Sequence, residues 1–278
     1  MYLKRIRSLI VYALFLTSYL SFAQKDFQGK AYYETKVTLD MDNFGGGNLS
    51  EERKKQIADR MRSRLEKTYV LTFNQFESLY KEEEREGSNS PGWGRFGMSG
   101  NMAQGPQYKN IKASKLLQES DLFGKQFLID DALPEFEWKL ESETKTIGEY
   151  LCFKATTVKK VPEGMFGFGR RSREGDRPQE NEDREREITV TAWYTLQVPL
   201  RQGPGDYWGL PGLILEINEG RNAIYCSKLV LNTNEISDIE KPSKGKKVNK
   251  QEYDAILKKK MTEMREMYRR DGGRDRRR

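Results

Sequence analysis

The feature that most constrains the fold is a series of short apolar segments, rich in β-branched and aromatic residues, each ended by turn-forming residues. They predict strands over Gly29–Asp40, Lys67–Lys81, Tyr108–Gln118, Leu122–Ile129, Glu137–Glu143, Glu149–Val161, Ile188–Leu200, Leu213–Glu219 and Asn222–Leu231. From residue 108 onward the strands recur every ~10–15 residues without helical patterns between them, which is typical of an antiparallel sheet. We therefore predict a mainly β protein built on one curved antiparallel sheet of about eight to ten strands.

Two further segments have the pattern of amphipathic helices. Ser50 is a candidate N-cap, followed by an apolar stripe of Ile57, Met61 and Leu65. Near the C-terminus, Asn249 and Glu252 have the spacing of a capping box that opens a helix over roughly Lys250 to Arg270. The apolar face of this helix contains Tyr253, Leu257, Met261, Met264 and Tyr268. We expect both helices to flank the sheet, with Tyr253, Leu257 and Met261 packed on it.

The first residues have the pattern of an export signal. A positive segment with Lys4, Arg5 and Arg7 precedes the apolar run Ser8–Leu20 and a cleavage site ending at Ala23. The alternative is a membrane anchor, but a run of about 13 residues is short for a span, which needs about 20. We predict a signal peptide over residues 1–23 and a protein exported to the periplasm, the outer membrane or the medium.

The remaining chain divides by composition into a folded domain and a tail. The domain covers residues 24–248 and contains two polar insertions, at 82–107 and 163–187. The tail, 249–278, contains the C-terminal helix and a basic end: from residue 258 onward there are ten Lys and Arg against four Asp and Glu. This charge is interpreted first as a solvated tail without a partner, and the alternative is contact with anionic lipid or polysaccharide. Nucleic acid is not expected as a partner of an exported chain.

The sequence offers little for catalysis because it contains no histidine. This excludes Ser-His-Asp and Cys-His nucleophiles and imidazole metal ligands. The acid pairs Asp130-Asp131 and Glu182-Asp183 are interpreted as surface groups, because neighbouring residues of a strand point to opposite faces and the second pair lies in the polar insertion at 163–187. Gly92–Gly97 matches G-x-G-x-x-G but lies in a Gly/Ser-rich segment, not between a strand and a helix. We predict no cofactor, no metal and no enzymatic activity.

The two cysteines, Cys152 and Cys226, leave two alternatives open. An oxidising compartment permits a disulfide between them. They are equally explained as two separate, small, buried side chains. The sequence does not show whether their strands adjoin.

A turn is predicted at Leu210-Pro211-Gly212-Leu213, where the strand from Leu213 begins. Proline at the second position and glycine at the third are typical of a type II turn. Gly212 would then need a positive φ, which glycine adopts without strain.

The segment Tyr207–Ile217, which contains this turn, resembles the motif that names the GLPGLI family of Bacteroidetes envelope proteins. Upstream, Ile147–Ala155, Thr191–Thr195 and Gly203-Pro204 fit the same pattern, and the resemblance covers roughly residues 108–235. It implies an exported envelope protein with a half-barrel-like sheet similar to outer-membrane lipoprotein carriers, and no assigned activity. The motif residues, each serving a structural turn or a docking tip, are Trp193, Tyr194, Gly203, Pro204, Gly209, Leu210, Pro211, Gly212, Leu213 and Ile214.

Aromatic residues concentrate in and around this motif and allow two functions. They are Trp138, Trp193, Tyr194, Tyr207 and Trp208. If they pack into a filled core, we predict a non-enzymatic envelope protein that binds another envelope protein through its surface. If they line an open concavity, the alternative is a periplasmic carrier of lipid or lipoprotein. An envelope hydrolase is a second alternative and would require polar residues that converge in a cleft.

Overall fold

The computed structural model describes residues 28–39, 50–83, 102–162, 185–232 and 239–272. The elements are β1 (Gly29–Val37), α1 (Glu51–Leu65), β2 (Thr68–Phe73), β3 (Glu77–Glu82), β4 (Met102–Asn110), β5 (Lys115–Leu122), β6 (Lys125–Ala132), β7 (Lys139–Ile147), β8 (Tyr150–Pro162), β9 (Glu185–Thr195), β10 (Leu213–Glu219), β11 (Asn222–Leu231), β12 (Lys246–Val248) and α2 (Lys250–Gly272). The predicted signal peptide lies outside the described residues.

All of these strands belong to one open sheet, in the order β12-β6-β5-β4-β3-β2-β1-β11-β10-β9-β8-β7. Two runs of consecutive strands, β1 to β6 and β7 to β11, meet at the antiparallel pair of β1 and β11. The prediction of a mainly β protein with an antiparallel sheet and two helices is confirmed. The sheet has more strands than predicted, and β12, which pairs with β6 in parallel, was missed.

Several predicted boundaries are wrong, in one case because a segment with a buried polar residue was taken as part of an insertion. The predicted strand Tyr108–Gln118 is two strands, separated by a turn in which Ser114 has a φ of 48°. The predicted insertion at 82–107 overlaps β4, where Gln107 is buried. The insertion at 163–187 overlaps the start of β9 at Glu185, and the strand predicted to reach Leu200 ends at Thr195.

Both helices begin at the predicted caps. The Ser50 hydroxyl accepts a hydrogen bond from the Arg53 amide at 3.4 Å. The Asn249 side chain accepts from the Glu252 amide at 2.8 Å, and the Glu252 carboxylate accepts from the Asn249 amide at 3.0 Å. The capping box of α2 is thus confirmed.

Helix α2 packs on the β6 side of the sheet through the residues predicted for this contact. Tyr253 and Leu257 are buried in a cluster with Phe127 and Ile129, and Met261 packs against it. The Tyr253 hydroxyl also hydrogen-bonds Ser120 Oγ at 2.7 Å.

The rest of the core consists of two clusters, both of which contact Ile224. The first contains Ala31, Tyr33, Leu71, Phe73, Tyr80, Cys152, Val198, Leu200, Leu213 and Leu215. The second contains Ala155, Val190, Ala192, Tyr194, Tyr207, Leu210, Ile214 and Ile217. The connection between β9 and β10, residues 196–212, contributes to both clusters; we call it the motif loop.

Candidate functional site

The motif loop packs into the sheet instead of extending from it. Val198 is fully buried, and Leu200 and Leu210 are 4% and 1% exposed. Pro204 is buried as well, whereas Pro211 is exposed. The loop therefore forms part of the core that the sheet would otherwise leave uncovered.

The backbone of the motif loop folds against itself and against the start of β10. The Leu213 amide donates to the Val198 carbonyl at 2.9 Å, and the Ile214 amide donates to the Gln202 carbonyl at 3.1 Å. The predicted type II turn is wrong, because Gly212 does not have a positive φ. The positive φ angles of the motif loop are at Gly205, 54°, and at Gly209, 99°.

Gly212 is needed for a different reason, which is close approach of two backbone segments. A Cβ atom at this position would lie 1.9 Å from the carbonyl oxygen of Thr195. At Gly203 it would lie 2.8 Å from both the Tyr207 carbonyl oxygen and a methyl carbon of Ile214. Gly203 and Gly212 of the motif therefore allow contacts that any side chain would prevent.

The motif loop is held by a buried lysine that the sequence did not single out. Lys109 on β4 is 0% exposed. Its ammonium donates to the carbonyl oxygens of Gly203 at 2.6 Å, Gly205 at 2.7 Å and Tyr207 at 3.1 Å. Burial lowers the pKa of Lys109 to about 7, and the negative charge of Asp206 opposes this shift. The charged form supplies one N–H to each carbonyl, which a neutral amine with two N–H groups cannot do.

Two other side chains of the sheet bind the motif loop, and a third binds the start of β10. The Tyr33 hydroxyl donates to the Ile214 carbonyl at 2.6 Å, and the Ser78 hydroxyl donates to Gln202 Oε1 at 2.8 Å. The Gln107 side-chain amide donates to the Asp206 carboxylate. We call the set the polar clamp; its members are Tyr33, Ser78, Gln107 and Lys109. Ser78 and Lys109 are paired in the β3–β4 register, so the clamp is fixed by strand pairing.

The predicted aromatic residues do not line a common cavity. Trp138 and Tyr207 pack with Phe136, with ring centroids 5.5 Å and 5.3 Å from its ring. The Trp138 indole donates to the Trp208 carbonyl at 2.9 Å, which ties the motif loop to the segment before β7. The Trp208 indole donates in turn to the Pro134 carbonyl at 2.7 Å.

The two aromatic residues of β9 are separated from each other as well. Tyr194 is buried in the second cluster, whereas Trp193 packs beside the first, with the Lys145 ammonium 4.3 Å from its ring centroid. Trp193 and Tyr194 therefore pack against different core clusters of the sheet.

Cys152 and Cys226 are free thiols in the structure, so the pair is not bridged. Both belong to the first cluster or pack against it. Burial raises the pKa of each thiol to about 11.

The acid pair Asp130-Asp131 has structural partners. The Asp130 carboxylate accepts hydrogen bonds from the ammonium groups of Lys247 and Lys115, at 2.5 Å and 3.1 Å. Both bonds lower the pKa of Asp130, and the bond from Lys247 has the larger effect. Asp131 accepts from the first amide of α2, that of Lys250, at 2.8 Å. The Gly92–Gly97 motif and the Glu182-Asp183 pair lie outside the described residues.

Exposed apolar side chains concentrate near the β7 edge of the sheet. Leu140, Leu151, Val158 and Leu196 are 57%, 48%, 60% and 49% exposed. A shallow depression of about 550 Å³ lies at this end; it is lined by Thr146, Glu149, Leu151, Phe153, Leu196 and Gln197. We call Leu151, Phe153 and Leu196 the edge patch. Within the described residues, neither helix combines the length and apolar composition needed to cross a membrane.

These features define an open antiparallel sheet whose core is completed by its own motif loop. A family model described as "Protein of unknown function (Porph_ging)" matches residues 138–216, the segment that runs from just before β7 into β10 and contains the motif loop. This match supports a family of unknown function, and the GLPGLI assignment stays a prediction. No curated protein matches the sequence.

Two solved structures show a distant likeness in backbone arrangement. They are described as "Structure of PNGF-II in C2 space group" and "Structure of PNGF-II in P21 space group". Each is 14% identical, with TM-scores of 0.48 and 0.47 over 84% and 83% of this chain. The chain spans 32% of the length of those proteins.

Proposed function

We propose that the protein is an exported, non-enzymatic binding protein of the cell envelope that contacts a partner protein through the edge patch. The observation that carries this proposal is the position of the motif loop. A carrier would hold an apolar ligand inside the sheet, but Val198, Leu200 and Leu210 occupy interior positions themselves. These residues of the motif loop therefore stabilise the fold, and we propose that a partner is bound by the outer surface of the protein.

The edge patch supports this assignment because exposed apolar clusters on soluble domains commonly mark binding sites. Four of the six large apolar side chains that the described residues expose lie on β7, on β8 or directly after β9. Charged residues alternate along β7, namely Lys139, Glu141, Glu143 and Lys145. Charges on an edge strand oppose the addition of a further strand. We therefore propose side-chain contact at the edge patch instead of strand pairing.

Cross-linking in the envelope of the native organism tests this proposal. The double variant Leu151→Asp, Leu196→Asp places two charges in the edge patch. The control is Phe76→Asp, at an apolar side chain that is 43% exposed in the turn before β3. We expect the control to keep the wild-type cross-linked partner and the double variant to lose it, with unchanged melting temperatures. If both variants captured that partner equally, the edge patch would not be the binding site.

The lipid carrier remains a second candidate because the three apolar side chains of the edge patch line the shallow depression. A fluorescent fatty acid titrated into the purified mature chain separates the two functions. Surface binding of a protein predicts no saturable uptake. Stoichiometric uptake that the Leu151→Asp, Leu196→Asp variant loses would favour the carrier.

The absence of catalysis is part of the proposal and has its own test. We expect the purified chain to show no turnover of ester, peptide or glycoside substrates. Turnover that disappears on a single Ser→Ala substitution would replace the binding function with a hydrolase.

Export is supported by the signal pattern of the first residues. We propose cleavage after Ala23. Mass spectrometry of protein from an envelope fraction should then find a chain that begins at Gln24. A chain that begins at Met1 in the cytosol would contradict export.

A further inference from the structure

The depression at the β7 end of the sheet has one charged residue in its lining. Three of the six lining residues form the edge patch, two are neutral and polar, and the sixth is Glu149. Glu149 is exposed. Among the residues that the structure describes, none forms an ion pair or a hydrogen bond with its carboxylate. The apolar surface therefore has a single carboxylate at its rim.

A tight turn determines where this carboxylate lies. Ile147 and Tyr150 are paired at the ends of β7 and β8, so Gly148 and Glu149 form a two-residue connection. Gly148 has a φ of 59°, as the first residue of a type II′ turn requires. The short turn fixes the position of the Glu149 backbone relative to the edge patch.

The lysines that precede and follow this turn already bind other carboxylates. Lys145 pairs with Glu216 at 2.7 Å. Lys154 pairs with two glutamates of β7, both at 3.1 Å. Their charges are therefore neutralised by these partners, and a negative charge remains at the rim of the edge patch.

The floor of the depression is supported by the core. Phe153 packs against Tyr194 of the second core cluster, with ring centroids 6.1 Å apart. The Leu151 amide donates to Gln197 Oε1 at 2.9 Å, which leaves the side-chain N–H groups of Gln197 for an acceptor outside the described residues. A surface that is already formed loses little conformational freedom when a partner binds.

We propose that the edge patch binds a segment of polypeptide in which a large apolar side chain is flanked by lysine or arginine. This inference rests on the proposed function and adds the chemistry of the partner. The apolar side chain covers the edge patch, the basic side chain pairs with Glu149, and a backbone carbonyl of the segment accepts from Gln197. Opposite charge at the rim of an interface selects the partner and speeds its association.

The carboxylate of Glu149 also disfavours other occupants. A fatty acid carries a carboxylate of its own, which Glu149 repels, and an acidic polypeptide is disfavoured for the same reason. A strand added to the sheet would meet the alternating charges of β7. A basic, apolar segment avoids both penalties.

Two synthetic peptides titrated into the isotope-labelled mature chain test the proposal by NMR. Both have a central phenylalanine, which is flanked by lysines in one and by glutamates in the other. We expect the basic peptide to shift the amide resonances of Glu149, Leu151 and Leu196. At low salt it should bind about tenfold more tightly than the acidic peptide, because Glu149 attracts one and repels the other. Added salt should reduce this difference.

Three variants separate the contributions of charge and apolar surface. Glu149→Gln should weaken binding of the basic peptide by about fivefold and remove the preference between the peptides. Leu151→Ser, Leu196→Ser should weaken binding of both peptides. The control is Glu187→Gln, which removes the same charge from an exposed position near the start of β9, and it should bind both peptides as the wild type does.

Several results would overturn the proposal. They are the absence of shifts at the edge patch with the basic peptide, equal affinities of the two peptides for the wild type, and a preference that Glu149→Gln retains. Equal losses in Glu149→Gln and Glu187→Gln would do the same, as would tighter binding of a fatty acid than of the basic peptide.

The cross-linking experiment distinguishes this failure from that of the proposed function. A partner that Leu151→Asp, Leu196→Asp loses, but that Glu149→Gln keeps at every salt concentration, would retain the edge patch and reject the basic segment. A partner that the double variant and Phe76→Asp capture equally would reject the edge patch itself.

Discussion

The motif loop and helix α2 both cover the same sheet, but different forces hold them in place. The loop and the start of β10 are bound by the polar clamp from β1, β3 and β4, and Gly212 of the loop closely approaches Thr195. Helix α2 is held mainly by a short apolar stripe, with two hydrogen bonds to the sheet, one between Tyr253 and Ser120 and one from the Lys250 amide to Asp131. Polar contacts in a dry interior have strict geometry, whereas an apolar stripe tolerates small shifts. Substitutions in the loop should therefore cost more stability than substitutions in the helix.

The largest effect is expected for Gly212→Ala. The new Cβ would collide with a backbone carbonyl oxygen 1.9 Å away, which cannot rotate aside as a side chain can. We expect the free energy of unfolding to fall by about 4 kcal/mol or more, above the usual range for overpacking. Gly212→Asn should be no gentler, because the collision already occurs at Cβ. Urea denaturation measures both variants.

Gly205→Ala is the matched control within the same loop. Gly205 has a φ of 54°, and an added Cβ would meet no atom within 4 Å. Its cost should be about 1 kcal/mol, from the left-handed backbone alone. If Gly212→Ala were as mild as Gly205→Ala, the close-approach account would be wrong.

Lys109→Met should be the next most damaging change. It keeps much of the side-chain length but leaves the buried carbonyls of Gly203, Gly205 and Tyr207 without their donor. We expect a loss of about 3 kcal/mol in the free energy of unfolding. Lys160→Met, at an exposed position of β8, should change it by less than about 0.5 kcal/mol. Similar unfolding curves for the two variants would show that the clamp does not hold the loop.

The dependence of stability on pH should differ between the lysine that binds the motif loop and the titratable groups of the core. Lys109 has a folded pKa of about 7, below its unfolded value of 10.5. Between these values the unfolded chain binds more protons, so this group makes stability rise with pH. Between pH 7 and pH 9, Lys109 should raise the free energy of unfolding by about 2 kcal/mol. This rise should be absent from Lys109→Met. Equal slopes for the two proteins would mean that the three carbonyls keep Lys109 charged throughout.

Two thiols and a tyrosine of the core should have the opposite effect on stability, which they make fall as the pH rises. Burial raises the pKa of Cys152 and Cys226 to about 11 from 9.0, and that of Tyr69 to about 12 from 10.0. Their contribution is fully present below pH 9 and is lost as the pH rises through the folded values. We expect the unfolding free energy of wild type and Lys109→Met alike to fall above pH 10. A curve that kept rising would contradict the burial of these groups.

The smallest effect is expected at the start of α2. Asn249→Ala removes the acceptor for the Glu252 amide and should cost about 1 kcal/mol. Asn249→Ser keeps an acceptor and should be nearly neutral. If the alanine variant destabilised the protein as strongly as Gly212→Ala, α2 would be as essential to the fold as the loop.

The same contrast explains how much of the fold the sequence predicts. Helix α2 and strands β10 and β11 follow from local signals, and β10 and β11 have the predicted ends at Leu213, Glu219, Asn222 and Leu231. The strand β12 was missed because three residues, Lys246–Val248, give no alternation to read. Its pairing depends on β6, which is far away in the sequence.

The interior of the site was less predictable. The motif pointed to Gly212 but supplied the wrong reason, since a Pro-Gly pair looks the same whether φ or close approach selects the glycine. Lys109 was missed because lysine on a strand is normally solvent-exposed. Its burial depends on carbonyls about a hundred residues later in the chain, which no local pattern encodes.

Amide hydrogen exchange tests the central claim, that the motif loop is part of the core. The Leu213 and Ile214 amides are bonded to carbonyls of the loop itself, those of Val198 and Gln202. They should exchange as slowly as the Ile217 amide within β10, and far more slowly than the exposed Gly148 and Glu149 at the tip between β7 and β8. Exchange of Leu213 and Ile214 as fast as at that tip would show a loop free to dock elsewhere and would contradict the account.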